Sequence, residues 1–502
     1  MKNFKLSKII SNYFYKVGIV AHFIAIIFIL LAMVVSGYIY NKYDLPANVF
    51  FQRAATSLAN ESSPILRKAS IPLNYLARVL NSQQQQVNYH FVYNRSVVGA
   101  SSTNSIFTSK TEMFENNTIL SSFYRRLVTF EQTKLRTIRV NTSEELLNAI
   151  KQAEPGDDIV ISAGRYQISQ RQIYLKQNGT VLAPIRLRAE NFDDVTITLD
   201  TLEGFVMMGD YWIVENLKIT GDCATNQQCE HAIHIVGAQQ LIIRNNELTN
   251  FNSIVKANAN GWVGNREFPD NILFEHNSLY NETSRQTNTS VTLIDVVTGS
   301  NWVIRKNFIA NNSKHGSDYV SYAVFLKGNG DNGLIEQNII DCEWSLSNDS
   351  YTRVGISLGG GGTGEKYCRG GGCPVEHSNG TIRNNLVTNC SQDVGIYLNK
   401  AQNTQITHNT LLNTSGVDVR FKESSAIITN NIISSHIRTR NGGSMKLNNN
   451  IIEFDKDIDG TYPSVMSQSQ FDLCGFSRFK FSSIGAITNE CQKKLALKIT
   501  SP

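Results

Sequence analysis

The chain has 502 residues, a formal net charge of +5 at pH 7 and a charged fraction of 18%. This length allows two domains or one long repetitive domain, and the charged fraction lies below the roughly 25% of an ordinary soluble protein. A small excess of basic residues is compatible with an anionic polymer as ligand, but it does not indicate nucleic acid. We therefore predict no nucleic-acid partner.

The amino end has the pattern of a membrane anchor. Residues 17–40 contain no Asp, Glu, Lys or Arg, and four lysines precede them. About 20 apolar residues cross the hydrocarbon core, and basic residues stay on the cytoplasmic side. We therefore predict a cytoplasmic tail at 1–16, a single transmembrane signal-anchor at 17–40, and a remainder that is periplasmic or extracellular. A signal peptide cut after Gly37 is the alternative, but its apolar region would exceed the usual ~7–15 residues.

Two segments precede the repetitive part of the chain. Residues 41–136 are predicted to form short helices, broken at Pro64 and Pro72, followed by a polar linker or loosely packed arm. Residues 137–167 have the pattern strand, helix, turn, strand, with the helix beginning after a Thr142/Ser143 cap. Such a helix would plug the open amino end of a solenoid, which needs a polar cap.

A repeat organises the rest of the chain. Each copy has an aliphatic residue, two polar-tolerant positions and an asparagine, and successive copies are roughly 20 to 30 residues apart except for one longer step. Short alternating strands at this spacing describe one turn of a parallel β-helix. The repeated asparagines are Asn216, Asn246, Asn277, Asn307, Asn338, Asn385, Asn409, Asn431 and Asn450.

The recurring asparagine predicts a ladder inside the solenoid. Stacked coils lie about 4.8 Å apart, so one residue type recurs directly above itself. Each buried amide can then donate to the carbonyl oxygen of the next, which satisfies polar groups that are costly to bury unpaired. The predicted fold is an all-β parallel β-helix over 137–452, with 453–502 closing its carboxyl end.

A second strand precedes each asparagine strand, and its side chains alternate between the core and the outside. One predicted outward column is Lys256, Asp295, Lys327, Gly359, Asn399, Lys422 and Arg440. The column beside it is Phe325, Ser357, Tyr397, Arg420 and Arg438.

The glycine-rich stretch 355–377 admits three interpretations. Gly359 and Gly364 have the spacing of a phosphate loop, but glutamate follows where that loop needs lysine. A zinc site from Cys368, Cys373 and His377 lacks a fourth ligand. We therefore predict a loop inserted between two coils, with its glycines permitting tight turns.

All eight cysteines lie after the predicted anchor. An even number in an exported region is typical of disulfides. Three pairs are close enough in sequence to form local bridges: Cys223 with Cys229, Cys368 with Cys373, and Cys474 with Cys491. Free or buried thiols remain the alternative, above all for Cys342 and Cys390.

The segment SEELLNAIKQAEPGDDIVISAGRY…APIRLRAEN, at 143–191, resembles the entry to right-handed parallel β-helix proteins of the pectin-lyase-like superfamily. The chain is most similar to the chondroitinase-B/alginate-lyase branch, over about 137–450. This resemblance implies extracytoplasmic lyase or epimerase chemistry on acidic polysaccharide. SIVKANAN resembles the strand that carries a catalytic lysine, which implies Lys256. Asp295 stands where the family has arginine. The family's calcium-binding acids have no match at 248–256, so no cofactor is evident, and calcium is the alternative that the resemblance leaves open.

Elimination across a uronic acid needs a neutralised carboxylate, a base and an acid. We predict that Lys256 and Lys327 contact the carboxylates of the polysaccharide. His315, Tyr322 or His377 is predicted to transfer protons. The predicted substrate contacts are Asp295, Arg353, Tyr397, Arg420, Lys422, Arg438 and Arg440. The alternative is an exposed ion-pair ladder, worth at most about 1 kcal/mol per pair, beside a solvated basic face.

The predicted function is therefore that of a membrane-anchored, extracytoplasmic β-helix protein that binds acidic polysaccharide and cleaves or epimerises it. A non-catalytic carbohydrate-binding or envelope-structural β-helix is the alternative. Glycoside hydrolysis would need two positioned carboxylates, and the outward columns supply Asp295 almost alone.

Overall fold

The computed structural model describes most of the predicted β-helix and parts of its flanks. The described residues are 136–452, except 263, 317–318, 347–351 and 361–362, together with 51, 54, 68, 72–73, 90–92, 99–100, 122–123, 127, 464–466, 471–478, 481–495 and 498–500. The chain divides into two compact units, Met1–Gln86 and Val87–Pro502. The predicted anchor at 17–40 lies outside the described residues, as do most of the helices predicted before residue 85. Within the described residues, no helix has the length and apolar character needed to span a membrane.

Residues 136–452 form a parallel β-helix of three long sheets, as predicted. The ten-stranded sheet comprises Gln172–Leu175, Glu203–Met207, His231–Val236, Val255–Asn258, Val291–Val297, Val320–Lys327, Thr352–Leu358, Ile396–Asn399, Val417–Arg420 and Ile437–Arg440. The twelve-stranded sheet comprises Arg136–Val140, Asp157–Ile161, Ile185–Ala189, Trp212–Glu215, Ile242–Arg244, Ile272–Glu275, Trp302–Arg305, Leu334–Glu336, Thr381–Arg383, Thr404–Thr407, Ser425–Thr429 and Ser444–Asn448. The eleven-stranded sheet comprises Gly164–Ser169, Val195–Asp200, Lys218–Gly221, Glu247–Thr249, Ser278–Tyr280, Phe308–Ala310, Ile339–Asp341, Leu386–Cys390, Thr410–Thr414, Ile432–Ile433 and Ile451–Ile452.

Shorter elements decorate the coils. Two α-helices are described: α1, Ser143–Lys151, and α2, Asn489–Leu495. Short 3-10 helices occupy Phe192–Asp194, Asn226–Gln228, Glu365–Tyr367 and Arg369–Gly371. The small sheets pair His90–Val92 with Lys498–Thr500, Asn260–Trp262 with Asn265–Glu267, Arg285–Gln286 with Lys314–His315, Ser464–Met466 with Phe481–Ser483, and Gly330–Asp331 with His377–Ser378 and Ala401–Gln402.

The coils stack on columns of like residues. Val255, Ile294, Val324, Ile356 and Ile396 pair in register from strand to strand of the ten-stranded sheet, and all five are fully buried. Branched side chains suit a pleated surface that is buried on one face. Because the apolar residues recur once per coil, they stack into a continuous apolar core.

The asparagine ladder forms from Asn246 to Asn450. Each side chain from Asn246 to Asn431 donates from Nδ2 to Oδ1 of the next ladder asparagine, over 2.9–3.2 Å. The prediction for Asn216 is wrong, because Asn216 pairs with Asn245 and Leu217 occupies the ladder position. The backbone N–H of Leu217 still donates to Oδ1 of Asn246, so the ladder ends on a main-chain group.

The residue before each ladder asparagine is itself asparagine in four of the eight copies from Asn246 to Asn450, namely Asn245, Asn384, Asn430 and Asn449. This position has positive φ throughout, for example 52° at Asn245, 53° at His276 and 55° at Gln337. Left-handed backbone is costly for most residues, and asparagine tolerates it better because its short side chain bonds locally. The turn that precedes each ladder strand therefore favours the doublet Asn–Asn.

Helix α1 caps the amino end, as predicted. Oγ1 of Thr142 accepts a hydrogen bond from the backbone N–H of Glu145 at 3.1 Å, which satisfies one free donor of the first turn. Leu146, Ala149 and Ile150 of this helix belong to the main core.

Other segments cover two of the three outer faces. Phe123 and Leu127 pack on outward apolar residues of the twelve-stranded sheet, including Ile242 and Val303. Residues within 471–495 pack on the outer face of the eleven-stranded sheet. Closure of the carboxyl end by 453–502 stays a prediction, since the described part of this segment lies along that flank.

Four disulfides hold the described chain together. The three predicted local bridges form, and Cys342 bonds to Cys390 with a Cα–Cα distance of 5.0 Å. The thiol alternative for this last pair is therefore wrong. Cys342 follows the strand Ile339–Asp341, whose partner in the next coil is Leu386–Cys390, and this pairing brings the two sulfurs together.

Candidate functional site

The outer face of the ten-stranded sheet is the candidate site, and we call it the polar face. It carries charged and aromatic groups on successive strands. The twelve-stranded sheet also has a charged outer column, but its members are buried and form ion pairs such as Arg244–Glu215 and Arg305–Glu336. The central residues of the polar face are Glu203, His231, His234, Lys256, Asp295, Tyr322, Phe325 and Lys327. Adjacent parallel strands place these side chains side by side although they span more than 120 positions of sequence.

Lys256, Asp295 and Lys327 form a connected triad. Nζ of Lys256 lies 2.5 Å from Oδ2 of Asp295, and Nζ of Lys327 lies 3.4 Å from Oδ1. The side chain of Asp295 is only 4% exposed, against 21% for Lys256 and 17% for Lys327. The ion pairs predicted to be exposed are therefore largely buried. The stabilisation of about 1 kcal/mol expected for a surface ion pair does not apply to buried pairs.

Burial and charge act on this triad in opposite directions. Burial would raise the pKa of Asp295, but the two ammonium groups outweigh it and hold that pKa below its usual value. For Lys327 burial is the larger effect, and it lowers the pKa despite the nearby carboxylate. Nζ of Lys327 also lies 4.0 Å from the ring centre of Phe325. Burial thus makes Lys327 easier to deprotonate than an exposed lysine, although Asp295 and the Phe325 ring both favour its ammonium form.

The register differs from the predicted columns. Lys256 pairs with Asp295, which pairs with Phe325, whereas Lys327 pairs with Val297. Lys327 therefore stands in the neighbouring column and reaches Asp295 diagonally.

Tyr322 and Phe325 form an aromatic platform next to the triad. Their rings stack with centroids 4.4 Å apart. Gly360 lies directly against Phe325, because a Cβ placed there would come within 2.1 Å of a ring carbon. Glycine is required at this position so that the inserted loop can cross the aromatic ring.

The described part of the glycine-rich stretch is an inserted loop, as predicted. The Cys368–Cys373 disulfide closes it. Arg369 donates to the carbonyl of Thr298 at 2.7 Å and pairs with Asp270 at 2.5 Å. Arg266 of the neighbouring hairpin donates to the carbonyl of Cys368 at 3.2 Å. These contacts fix the loop as a wall at one edge of the polar face.

Near the carboxyl end of the β-helix, two residues, Arg420 and Lys422, are not in their predicted columns. Tyr397 pairs with Asp418, which pairs with Arg438, whereas Asn399 pairs with Arg420 and then Arg440. The strand ends at Arg420, and Phe421 has φ of 72°, so Lys422 lies beyond the column.

Asp418 forms ion pairs with two of the arginines near the carboxyl end of the polar face. Asp418 is buried and accepts from Nε of Arg440 at 2.8 Å and from Arg438 at 3.3 Å. Arg420 donates to Oη of Tyr397 at 3.1 Å. Arg438 and Arg440 were predicted as free cations, but both are paired with Asp418. The sequence analysis did not identify Asp418.

Two predicted site residues belong to the interior. Arg353 is fully buried, with its guanidinium 3.2 Å from Glu343, 3.1 Å from Oγ of Ser313 and 2.9 Å from the carbonyl of Leu346. These contacts tie Arg353 to Glu343, Ser313 and Leu346 in the interior, so the assignment of Arg353 to substrate is corrected to a structural role.

His377 is the second interior residue. Its ring is fully buried, close to the Cα atoms of Gly333 and Gly380. It lies in a short parallel strand of the small sheet, away from the polar face. The assignment of His377 to proton transfer at the surface is therefore corrected as well.

His315 remains exposed, but it lies on a separate strand pair. Lys314–His315 pairs with Arg285–Gln286 in the loops that precede the ten-stranded sheet, and its ring meets Tyr319 edge-on at 5.7 Å. Of the predicted proton carriers, Tyr322 is the one that stands on the polar face.

Three polar-face residues were missed by the sequence analysis. Glu203, His231 and His234 lie on the two coils before Lys256, and His234 pairs in register with Lys256. Burial lowers the pKa of His231 to about 4. Two histidines in the strand His231–Val236, directly before SIVKANAN, could have indicated the site. They are three positions apart, so regular alternation would place them on opposite faces, whereas the irregular strand places both outside.

Calcium of the family's kind does not fit the residues at 248–256. This stretch contains no carboxylate, and Phe251 is fully buried. Oδ1 of Asn252 already accepts from Nε of Arg285 at 3.0 Å. A cationic guanidinium therefore stands where a calcium ligand would be needed, against the preference of calcium for several oxygen ligands.

The buried ring of His377 predicts acid sensitivity. Burial lowers the pKa of His377 from 6.5 to about 4. The unfolded chain therefore binds the proton first, so this contribution to stability is complete above about pH 6.5 and falls by about 2–3 kcal/mol by pH 4.5. His377→Leu should remove that part of the loss, measured by urea unfolding at pH 7 and 4.5. The exposed His315→Leu is the control; an unchanged difference between the two pH values in His377→Leu would contradict the assignment.

Comparisons with known proteins agree with this architecture. Residues 140–452 match the family model described as Chondroitinase B. An alginate lyase from Paenibacillus sp. str. FPU-7 is 18% identical, over 63% of this chain and 99% of that one, with a TM-score of 0.36. The PL6 family polysaccharide lyase Pedsa3628 from Pseudopedobacter saltans is 14% identical over 70% and 99%, TM-score 0.36. Pectate lyase Pel9A is 13% identical over 71% and 90%, TM-score 0.41. The search of curated proteins gives no match.

Proposed function

The chain belongs to the Chondroitinase B family, and we propose that it binds an acidic polysaccharide on the polar face and cleaves it by β-elimination. The observation that carries this proposal is the Lys256–Asp295–Lys327 triad at the centre of that face. It supplies two partly accessible cations, and one of them has a lowered pKa.

The triad can divide the chemical work. Lys256 is the cation that meets the uronate carboxylate and so stabilises the negative charge that develops when C5 loses its proton. Lys327 in its neutral form takes that proton on Nζ. The electron pair left on C5 forms the C4=C5 double bond, the C4–O4 bond breaks, and the Tyr322 hydroxyl donates a proton to O4. Solvent then restores both groups.

The surroundings of the triad suit a sugar chain. Tyr322, which is partly exposed, offers aromatic surface next to it, whereas Phe325 is buried beneath Gly360 and supports the Tyr322 ring by stacking. Trp262, which is 87% exposed, stands on the hairpin that follows the Lys256 strand. Exposed aromatic rings with an apolar face and a polar rim favour contact with partly apolar ligands such as sugar rings.

A product assay tests the proposal directly. The full-length chain should be incubated with separate uronate polymers, including alginate, pectate and chondroitin or dermatan sulfate, while ultraviolet absorbance of the unsaturated product is followed. We expect absorbance to rise with one polymer class, and mass spectrometry to show chain ends that carry the double bond. Binding to a polymer without any unsaturated product would contradict cleavage.

That last outcome would favour the second candidate function, a non-catalytic binding module. A specific observation supports it: Asp295 stands where the resembled family carries an arginine and already holds both lysines. The product assay decides between the two, because binding alone leaves no double bond.

We further propose that the β-helix lies outside the cytoplasm, anchored by residues 17–40. The four disulfides support this placement, because such bonds persist in oxidising compartments. Protease added to cells whose outer barrier is opened should cut the β-helix domain while the cytoplasmic membrane is intact. Full protection would contradict the proposed orientation.

A further inference from the structure

Glu203, His231 and His234 form a cluster on the two coils before the triad. One nitrogen of each ring and one carboxylate oxygen all lie within 4.8 Å of one another. Nδ1 of His234 is 3.2 Å from Oε2 of Glu203, and the two imidazole rings meet at a centroid distance of 5.0 Å. Three groups that bind metals thus converge on the polar face.

The hydrogen bonds fix which ring nitrogens are available. Nδ1 of His231 lies 2.9 Å from the carbonyl oxygen of Ser253, which only accepts, so this nitrogen carries the proton and Nε2 keeps its lone pair. Nε2 of His234 lies 2.6 Å from Oδ1 of Asn258. The Asn258 amide is itself oriented, because its Nδ2 donates to the carbonyl of Ala259 at 3.0 Å.

In a neutral His234 ring the lone pair is therefore on Nδ1, a buried atom whose polar neighbour is Oε2 of Glu203 at 3.2 Å. The carboxylate is oriented in the same way: Gln172 donates to Oε2 of Glu203, and Oη of Tyr174 donates to Oε1 of Gln172 at 2.5 Å. Metal-binding histidines commonly donate their other ring N–H to an oxygen acceptor, and that second contact sets tautomer and ring orientation.

We propose that Glu203, His231 and His234 bind one divalent transition-metal ion of the zinc class, through a carboxylate oxygen, Nε2 of His231 and Nδ1 of His234. Two imidazoles and one carboxylate are a common donor set for zinc sites with an open position. Tetrahedral zinc with bonds of about 2.0–2.1 Å separates its ligands by about 3.4 Å, so small rotations of these side chains close the site. Calcium is not expected, because it takes oxygen ligands.

The other cluster of possible ligands among the described residues offers no such site. Asp472, Cys474 and Cys491 also lie close together, but both sulfurs are spent in a disulfide. A metal bound by the described residues should therefore depend on Glu203 and the two histidines.

The site deepens the proposed function and in that respect rests on it. His234 pairs in register with Lys256, so an ion held here lies one coil from the triad. One carboxylate leaves a divalent ion with a net positive charge, and an open coordination position would accept a uronate carboxylate beside Lys256. Metal binding itself is independent of any polysaccharide.

Metal binding is tested on the full-length chain without substrate. The protein should be stripped with EDTA and titrated with Zn²⁺, Co²⁺ and Ca²⁺ by calorimetry, and its metal content measured after gel filtration. We expect one equivalent of Zn²⁺, a Co²⁺ visible spectrum typical of nitrogen and oxygen ligands, and no Ca²⁺ at this site. His231→Gln and His234→Gln should each weaken Zn²⁺ binding by at least about 100-fold and Glu203→Gln by about 10- to 100-fold. His436→Gln, distant in sequence, should bind as the wild type does.

A second measurement uses the wild-type protein, so it tests the site even where a variant does not fold. Zn²⁺ should slow modification of His231 and His234 by diethylpyrocarbonate, followed by mass spectrometry, and leave His436 unaffected. Absence of stoichiometric Zn²⁺ binding, or Zn²⁺ binding by the two histidine variants that is as tight as in the wild type, would overturn the proposal and leave a plain Glu203–His234 ion pair. Zn²⁺ binding together with a negative product assay would instead retain the metal site and reject the cleavage.

Discussion

Replacing Asn307 by alanine should lower the free energy of unfolding by about 3–5 kcal/mol, the largest stability effect expected of a single polar side chain here. The Nδ2 group of Asn307 donates to the Phe274 carbonyl at 3.0 Å and to Oδ1 of Asn338 at 3.0 Å. Its Oδ1 accepts from the backbone and the side chain of Asn277. Alanine leaves several fully buried groups without a partner, and each such group costs about 1–3 kcal/mol.

Urea unfolding followed by circular dichroism measures this effect. The matched control is Asn191→Ala, since the Asn191 amide bonds Asp194 at an exposed position, where we expect a change within about 1 kcal/mol. Equal midpoints for the two variants would show that the ladder contributes little. The outcome matters for the site, because the same ladder holds the coils in the register that brings Lys256 and Asp295 together.

Replacing Lys256 by alanine should reduce the rate of unsaturated product formation by about 10²–10³-fold, the largest effect expected on activity. The variant removes the cation that meets the substrate carboxylate and leaves Asp295, which is 4% exposed, with Lys327 alone. Lys256→Arg keeps the charge and should retain part of the rate. Lys327→Arg should lose it, because arginine does not act as a base near neutral pH.

Lys446→Ala is the matched control for these variants, since Lys446 is exposed on a strand of the twelve-stranded sheet. Initial rates and polymer affinity should be measured for all four variants. Equal rates for Lys256→Arg and Lys327→Arg would contradict the division of roles within the triad. Unchanged rates in Lys256→Ala would remove the triad from the proposed mechanism altogether.

The structure also explains why the polar face is the one left for ligands. Phe123 and Leu127 pack on apolar outer residues of the twelve-stranded sheet, and residues within 471–495 pack on the eleven-stranded sheet. Outer charges of the twelve-stranded sheet, such as Glu215 and Arg305, are buried and ion-paired. The ten-stranded sheet instead presents charges and aromatic rings, with an inserted loop fixed at its edge by Arg369. A solenoid needs such lateral cover wherever its outer side chains are apolar.

Site predictions from the sequence succeeded where a residue's surroundings repeat and failed where they do not. Lys256 and Lys327 were placed correctly on one face because strand alternation is local. Arg353 and His377 were misplaced because their strands enter or leave inserted loops, where alternation no longer tells inside from outside. Glu203 was missed because nothing in its own strand shows that two histidines stand above it.

The sequence by itself determined the repeat, the asparagine ladder from Asn246 onward and the capping helix, because each depends on spacing along the chain. It indicated three of the four disulfides by proximity but did not fix their pairing. Only the tertiary structure decided the pairing of Cys342 with Cys390, the buried contact of Asp295 with both lysines, and the convergence of Glu203 with His231 and His234. These contacts join different coils, and their geometry depends on loop lengths and strand register. A shift of one residue in register moves a side chain to the opposite face of the sheet.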